Sequence, residues 1–571
     1  MVLPLSLLYG LLLLPHGGQY QIPVDIAPPE EATEAGEPLL LAQPGQGPVL
    51  AFDASRWEWW FDFNEDELLD LKRRLPRRAG TRNPTPVTTN DRLQEILPVL
   101  VDSLRMDGEA TSARISGSQA VGIISTPNKR DVRAAAAMSL GRLKMGDAVP
   151  YIAYVAEGDP DLFVRTQATL ALGVSGVPQA TEVLARLYRD DKVSEEVRVY
   201  AAVGLALDGS AYAVDVLHGA LTEKNLSAAP HQLRIGTLYA AGLCGDPLLG
   251  PPLRGLAGTW LWKREAEVRA LAATALGGIE DPEAVPFLLQ LLRDGDNQVR
   301  RSAAEALAGS RVSMDEDSAA RLIAHFRDES DIATRTNLGH ALARAGTDNA
   351  SSFLRAAFAD AHYMMRGHLA LSLAVDGHAD NVAPLLEALD RARDTSLQGA
   401  LALSLGLLGA TEAVTPIHDL VVHSGDPLLR GYASVALGLL NPDGDEYGVL
   451  LEELLLVEHD PETLRLIMIG LALLGERERL DALASGLSQV PSTLDRASWA
   501  FSLGQASDRA ALGPLLGVIN DGSQPAYVRA YALQALGEVA DPRPLSPLSR
   551  LTRHVELNLD IGHLFELYRT L

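Results

Sequence analysis

From Val268 to Asp294 apolar and polar positions follow a helical period twice, with one break between. Val268, Ala272, Ala275, Leu276 and Ile279 fall on one helical face, and Val285, Leu288, Leu289 and Leu292 fall on one face of a second helix. Between them Gly277-Gly278 offers residues that tolerate positive φ. Asp281-Pro282 then offers an N-cap acceptor and a ring preset for the first helical position. Neither apolar face can be buried inside the pair, so the pattern predicts neighbours of the same kind.

Those neighbours are written along the chain. With the arginine of Val268-Arg269 as ruler, the unit returns every 31 to 36 residues at Arg133, Arg165, Arg198, Arg234, Arg269, Arg300, Arg335, Arg366, Arg430, Arg465, Arg496 and Arg529, with Gln398 in the vacant slot. A fixed period of this length means stacked supersecondary units. Alanines such as Ala272, Ala273, Ala303 and Ala304 let successive helices approach closely and carry one core along the array. The expectation is an all-α fold: an extended, monomeric α-solenoid of about thirteen helix pairs over residues 91–555, each pair touching only its neighbours.

The unit resembles the HEAT repeat, and within it the phycobilisome-lyase-like subclass. The residues that carry the resemblance are Val268-Arg269, Ala272-Ala273, Ala275-Leu276-Gly277, Asp281-Pro282, Ala284-Val285-Pro286 and Leu288-Leu289, echoed at Val132-Arg133, Leu140-Gly141 and Gly146-Asp147. The resemblance implies a fold, not an activity. Deoxyhypusine hydroxylase is similar in its repeats and holds two irons with His-Glu dipeptides. None of the thirteen histidines here is followed by Glu, so that function is not expected. Phycobilin lyases share the subclass but serve cytoplasmic antenna proteins, which suits this N-terminus poorly.

Residues 1–18 open with an apolar run, Met1 to Leu14, that is too short to span a bilayer core of about 30 Å but matches the apolar region of a secretory signal. No Lys or Arg precedes Arg56, and there is no A-x-A cleavage site. Residues 19–50 are rich in Pro, Gly and Glu without period and read as a disordered tether. Residues 51–90 hold a Trp-rich segment around Trp57, Trp59 and Trp60 and an arginine-rich linker. The expectation is that the aromatics dock on the chain's own first helices, with an external partner as the alternative. His16 to Tyr20, Pro28-Pro29 and this Trp-rich segment together resemble exported bacterial HEAT-repeat proteins of uncharacterised function. Residues 556–571, with Leu557, Ile561, Leu564, Phe565 and Tyr568 at helical spacing, are expected to cap the far end.

A formal net charge of −25 excludes a sequence-independent nucleic-acid binder, which needs lysine and arginine to displace counterions. It reads as a repelling, solvated surface, with a basic partner as the alternative. The single cysteine, Cys244, excludes an intramolecular disulfide and reads as a packing residue. No P-loop, nucleophile elbow, H-E-x-x-H or cysteine pair is present. His362, His368 and His378 are spaced too widely to share one helical turn and predict no zinc site. Catalytic residues, cofactor and metal are therefore not expected.

The repeated arginine predicts a structural ladder in place of a ligand row. The members are Arg133, Arg165, Arg198, Arg269, Arg300 and Arg366, with Asp159, Asp294 and Asp360 six residues before Arg165, Arg300 and Arg366. The lengthened connection Trp260, Trp262, Lys263 and Arg264 is the candidate protein-binding loop inside the array, since Trp and Arg concentrate interface energy; the alternative is that the tryptophans extend the helix from Pro252 and fill the gap left by the long connection Glu223 to His231. The expected function is a non-catalytic protein-binding scaffold or adaptor, periplasmic or in the cell envelope, with no stable membrane span after signal removal. A lyase-like ligand-binding protein and a structural envelope component are the alternatives.

Overall fold

The computed structural model describes residues 57–74, 85–105, 129–258, 266–506 and 509–543. Among these residues every regular element is helical, and no helix is long and apolar enough to cross a membrane. Thirteen inner helices, from Arg130–Arg142 to Ala526–Ala540, stand side by side, with outer helices such as Val149–Gly158 and Val382–Arg391 on their backs. Asp161, Asp296, Asp331, Asp394, Asp426 and Asp460 cap inner helices by accepting backbone N–H groups of the first turn.

The glycines divide into two roles. Gly245 and Gly377 end inner helices at φ 75°. Gly277, expected to do the same, stays helical, and a Cβ there would sit 2.6 Å from Cα of Ala306 on the next inner helix. It is needed for contact, not for φ. Asp281-Pro282 likewise forms a turn before the helix Ala284–Leu291, with the Asp281 carboxylate accepting from the Glu283 N–H at 3.0 Å and pairing with Arg254.

The array is not extended. Its last inner helix, Ala526–Ala540, packs against its first, Arg130–Arg142, so the thirteen pairs close into a ring. The seam reuses the contact made inside the array: a Cβ on Gly504 would lie 2.6 Å from Cα of Ala535, and one on Gly537 would lie 2.7 Å from Oγ of Ser139. The Ser139 hydroxyl donates to the Leu533 carbonyl at 2.7 Å, Arg142 pairs with Glu538, and Arg543 donates to the Val174 carbonyl at 2.6 Å. On the outer layer Arg509 grips Asp91 at 2.8 and 2.9 Å, and its N–H donates to the Thr85 carbonyl at 3.1 Å. Ring closure gives the end repeats the burial that terminal caps otherwise supply. The expected cap at residues 556–571 lies outside the described residues.

The ladder exists, but one repeat out of the expected register. Arg133 reaches forward to the Asp159 carboxylate at 2.8 and 3.0 Å, Arg269 to Asp294, Arg300 to Glu329 at 3.0 Å and Arg430 to Glu458 at 2.5 Å. The expected partners six residues apart meet through the backbone instead: Arg165 donates to the Asp159 carbonyl at 2.7 Å and Arg300 to the Asp294 carbonyl at 3.1 Å. Asp159 and Asp294 thus each join two arginines, one through the carboxylate and one through the carbonyl. Arg198 donates to the Tyr188 carbonyl at 3.0 Å. Arg366 and Asp360 are both exposed and form no ion pair among the described residues.

Candidate functional site: a helix held in the lumen

The ring encloses a separate helix, Trp57–Leu69, termed the plug helix here. Its Trp57, Phe61 and Leu69 are buried in a cluster of their own with Leu371, Leu403, Tyr432, Leu466 and Ile469, distinct from the core that runs through the repeats. These receiving residues lie on four successive inner helices, at the positions that face inward.

Trp57 enters a seat made by missing side chains. A Cβ on Gly367 would lie 2.3 Å from its Cδ1, and one on Gly399 would lie 3.2 Å from its Cζ2. The indole ring centre is 4.9 Å from that of Tyr432. Its N–H donates to Ser396 Oγ at 2.8 Å, and the Ser396 hydroxyl donates in turn to Glu58 at 2.6 Å. One turn on, Trp60 stacks flat on His340 with ring centres 4.0 Å apart. His340 is also within hydrogen-bonding distance of Ser372 at 3.0 Å and His368 at 3.4 Å. Burial, reinforced by His368, holds the His340 imidazole well below its usual pKa, so this stack is neutral.

Charge is handled at the other end of the plug helix. Arg465, 2% exposed, takes Glu65 in a fork at 2.6 and 2.9 Å and Glu462 at 2.5 Å. Burial opposes its charge, but Glu462 and Glu65 outweigh burial and raise its pKa. Two other plug carboxylates, Asp62 and Asp66, are held less favourably. Burial, then Glu462, pushes Asp62 well above the carboxylate range, and its Oδ1 is buried without a hydrogen-bond partner. Burial, then Glu65 and Glu538, pushes Asp66 up to about 7.

Between about pH 4 and 7 the docked helix therefore holds a proton on Asp66 that the free helix loses, so docking weakens as pH rises across that window. His340 acts oppositely below its ordinary value of 6.5 and leaves the loss visible above it. Thermal melts at pH 6.5 and pH 8 are expected to show the chain less stable at pH 8, and Asp66→Asn should narrow the gap. An unchanged gap in that variant would remove Asp66 from the account.

Beside Trp60 lies a cavity of about 130 Å³ between the plug helix and the inner wall, bordered by Asn64, Glu67, Glu305, His340 and Arg344. Arg344 stands 4.0 Å from Glu67 across it and donates to the Ser310 carbonyl at 3.1 Å.

A family profile for HEAT repeats matches residues 121–196 and 259–343. The chain carries HEAT repeats. Among curated proteins it is similar to deoxyhypusine hydroxylase of Gallus gallus, 42% identical over 77 residues, which is 14% of this chain and spans a quarter of that enzyme. Among solved structures it is similar to human deoxyhypusine hydroxylase in complex with glycerol, at 21% identity and a TM-score of 0.22 over 46% of this chain and 96% of that one. It is also similar to the CpcE and CpcF complex of phycocyanin lyase from Nostoc sp. PCC7120, at 20% identity and a TM-score of 0.29 over 40% and 92%. An engineered protein matches at 18% identity and a TM-score of 0.24 over 72% and 96%. None of these likenesses assigns an activity.

In this HEAT-repeat protein Trp57 is 4% exposed and Trp60 is partly buried, so neither offers a free surface to an outside partner. They dock on the chain itself, but on the seventh to tenth inner helices and not on the first, because those present the stacked histidine and the glycine seat. Trp59 lies within the plug helix, and Trp260, Trp262, Lys263 and Arg264 lie outside the described residues. The three histidines go separate ways: His362 caps a helix, His368 joins His340, and His378 bonds Asp376. Cys244 is partly buried at the end of its inner helix.

Arg465 stood in the sequence only as one of the ruler arginines, and Glu65, Ser396, Gly367 and Gly399 were not marked as site residues at all. Two signals mark them. Arg430 and Arg300 follow their capping aspartates by four residues, whereas Arg465 follows Asp460 by five, a turn of about 100° toward the lumen. Leu464 takes the ladder slot. Glycine also stands just after the ruler position at Gly367, Gly399 and Gly431 in three successive repeats, where Ala, Thr, Val or Ile is usual elsewhere.

Proposed function

We propose that this HEAT-repeat protein is a non-catalytic protein-binding scaffold, exported to a bacterial cell envelope. The observation that carries the binding role is the plug helix itself. A helix outside the repeats is held by an apolar seat, an indole hydrogen bond and a buried carboxylate clamp, which are the means by which a groove holds a helical partner. The apolar run Met1 to Leu14 supports export.

A second surface is open to partners. Val422, Leu456 and Val457, exposed at 42%, 62% and 69%, lie at the ends of the adjacent outer helices Val414–His423 and Glu446–Val457. These outer helices belong to repeats that hold the plug helix, and exposed apolar groups there are candidates for contact with a partner. Replacing all three by serine should leave the melting temperature unchanged while lowering by at least about tenfold the yield of whatever protein is cross-linked to the chain in its own envelope extract, a loss of about 1.4 kcal/mol. Undiminished cross-linking would remove these residues from the binding surface.

A further inference from the structure

We propose that the lumen is a receptor for an acidic, tryptophan-led helix of a partner protein, and that the plug helix occupies it as a built-in competitor. This rests on the protein-binding reading above and adds the kind of partner and the way the site is controlled.

The receptor side departs from its own repeat wherever the plug helix touches it. Two glycines leave room for one indole, Ser396 reads its N–H, and Arg465 is turned out of the ladder to take a carboxylate two turns further along. None of these changes serves the solenoid. The ladder loses a rung at Leu464, and the glycines give up side chains that other inner helices bury. Together they read a helix of pattern Trp-Glu-x-x-Phe-x-x-x-Glu-x-x-x-Leu, the pattern of Trp57, Glu58, Phe61, Glu65 and Leu69.

The plug helix fits this seat imperfectly. Its apolar cluster is separate from the main core, so its departure leaves the repeats packed. The buried Oδ1 of Asp62 lacks a hydrogen-bond partner, and such a group weakens docking. A partner helix with the same Trp, Phe and Glu anchors but a neutral residue at that position binds the same seat without this penalty and displaces the plug.

The test uses the full chain and a fluorescein-labelled peptide of residues 55–71, followed by anisotropy. Trp57→Ala with Phe61→Ala loosens the plug and is expected to raise affinity for the peptide at least tenfold over the unaltered chain. Glu65→Gln, a milder change, should raise it in the same direction and serves if the double variant does not fold. A peptide carrying Asp62→Asn should bind more tightly still, and Arg465→Met added to the loosened chain should weaken binding at least tenfold. Equal affinities for loosened and unaltered chains, or indifference to Arg465 in a chain whose circular dichroism is intact, would overturn the proposal. Doubling of mass with concentration in the absence of peptide would put a second copy's plug helix in the lumen and overturn the partner assignment. The serine variants of Val422, Leu456 and Val457 test the scaffold reading independently, so a negative peptide result with a partner dependent on those residues defeats only the receptor.

Discussion

Arg465→Met is expected to destabilise the protein more than any other single substitution in the lumen, by about 3–5 kcal/mol. The arginine is 2% exposed and is shared by Glu65 and Glu462, so its removal strands two carboxylates in a poorly solvated site. The two can relieve the strain only by taking up protons or by expelling the plug helix. Urea unfolding followed by tryptophan emission reads the loss of stability and the expulsion, since expulsion moves Trp57 into water. Combining Arg465→Met with Glu65→Leu and Glu462→Leu should recover most of the loss, because an apolar replacement of a whole buried charge cluster is close to neutral. If Arg465→Met alone costs less than about 1 kcal/mol, the clamp is no more than a surface ion pair and the geometry of the site is wrong.

Gly537→Leu is expected to open the ring. The first added carbon already falls 2.7–2.9 Å from three atoms of Ser139, two of them directly bonded to its backbone or part of it, and the remaining carbons have nowhere to go. Successive helices at about 8–10 Å spacing put thirteen closed pairs within a particle about 70 Å across, whereas the same pairs laid end to end run to about 130 Å. Small-angle scattering should therefore show a rise of tens of ångström in maximum dimension for the variant. Gly504→Leu is the matched control: its Cβ meets Ala535 equally closely at 2.6 Å, but those helices are consecutive in the chain. It should lower stability without changing the overall dimension. Equal dimensions for Gly537→Leu and the unaltered chain would mean that the seam does not hold the ring shut.

The repeat itself was fully legible in the sequence. Helix pairs follow from local information: apolar residues at helical spacing, Asp at inner-helix starts, Gly at their ends and alanine where helices approach, each repeated often enough to outweigh an irregular copy. The arginine ladder was legible as a structural feature, but its pairing was not. Periodicity says that Arg133 and Asp159 recur, and only the superposition of one layer on the next decides that the arginine reaches forward to the acid of the following repeat.

Closure and the plug are tertiary decisions. Each repeat adds a small rotation to the last, and whether thirteen such rotations bring Gly537 to Ser139 depends on their sum, which no single copy of the motif encodes. The aromatic content of Trp57 to Phe63 showed that this segment must bury itself. Its destination depended on a hole that exists only once residue 540 has come round to residue 130. Thus Glu65 and Arg465, 400 residues apart, could not be paired from spacing, although the one-residue displacement of Arg465 from its ruler was in plain view. Local rules are short-ranged and repeat, so the sequence displays them many times; a ring and its contents are set by accumulated geometry, which appears only when the whole chain is folded.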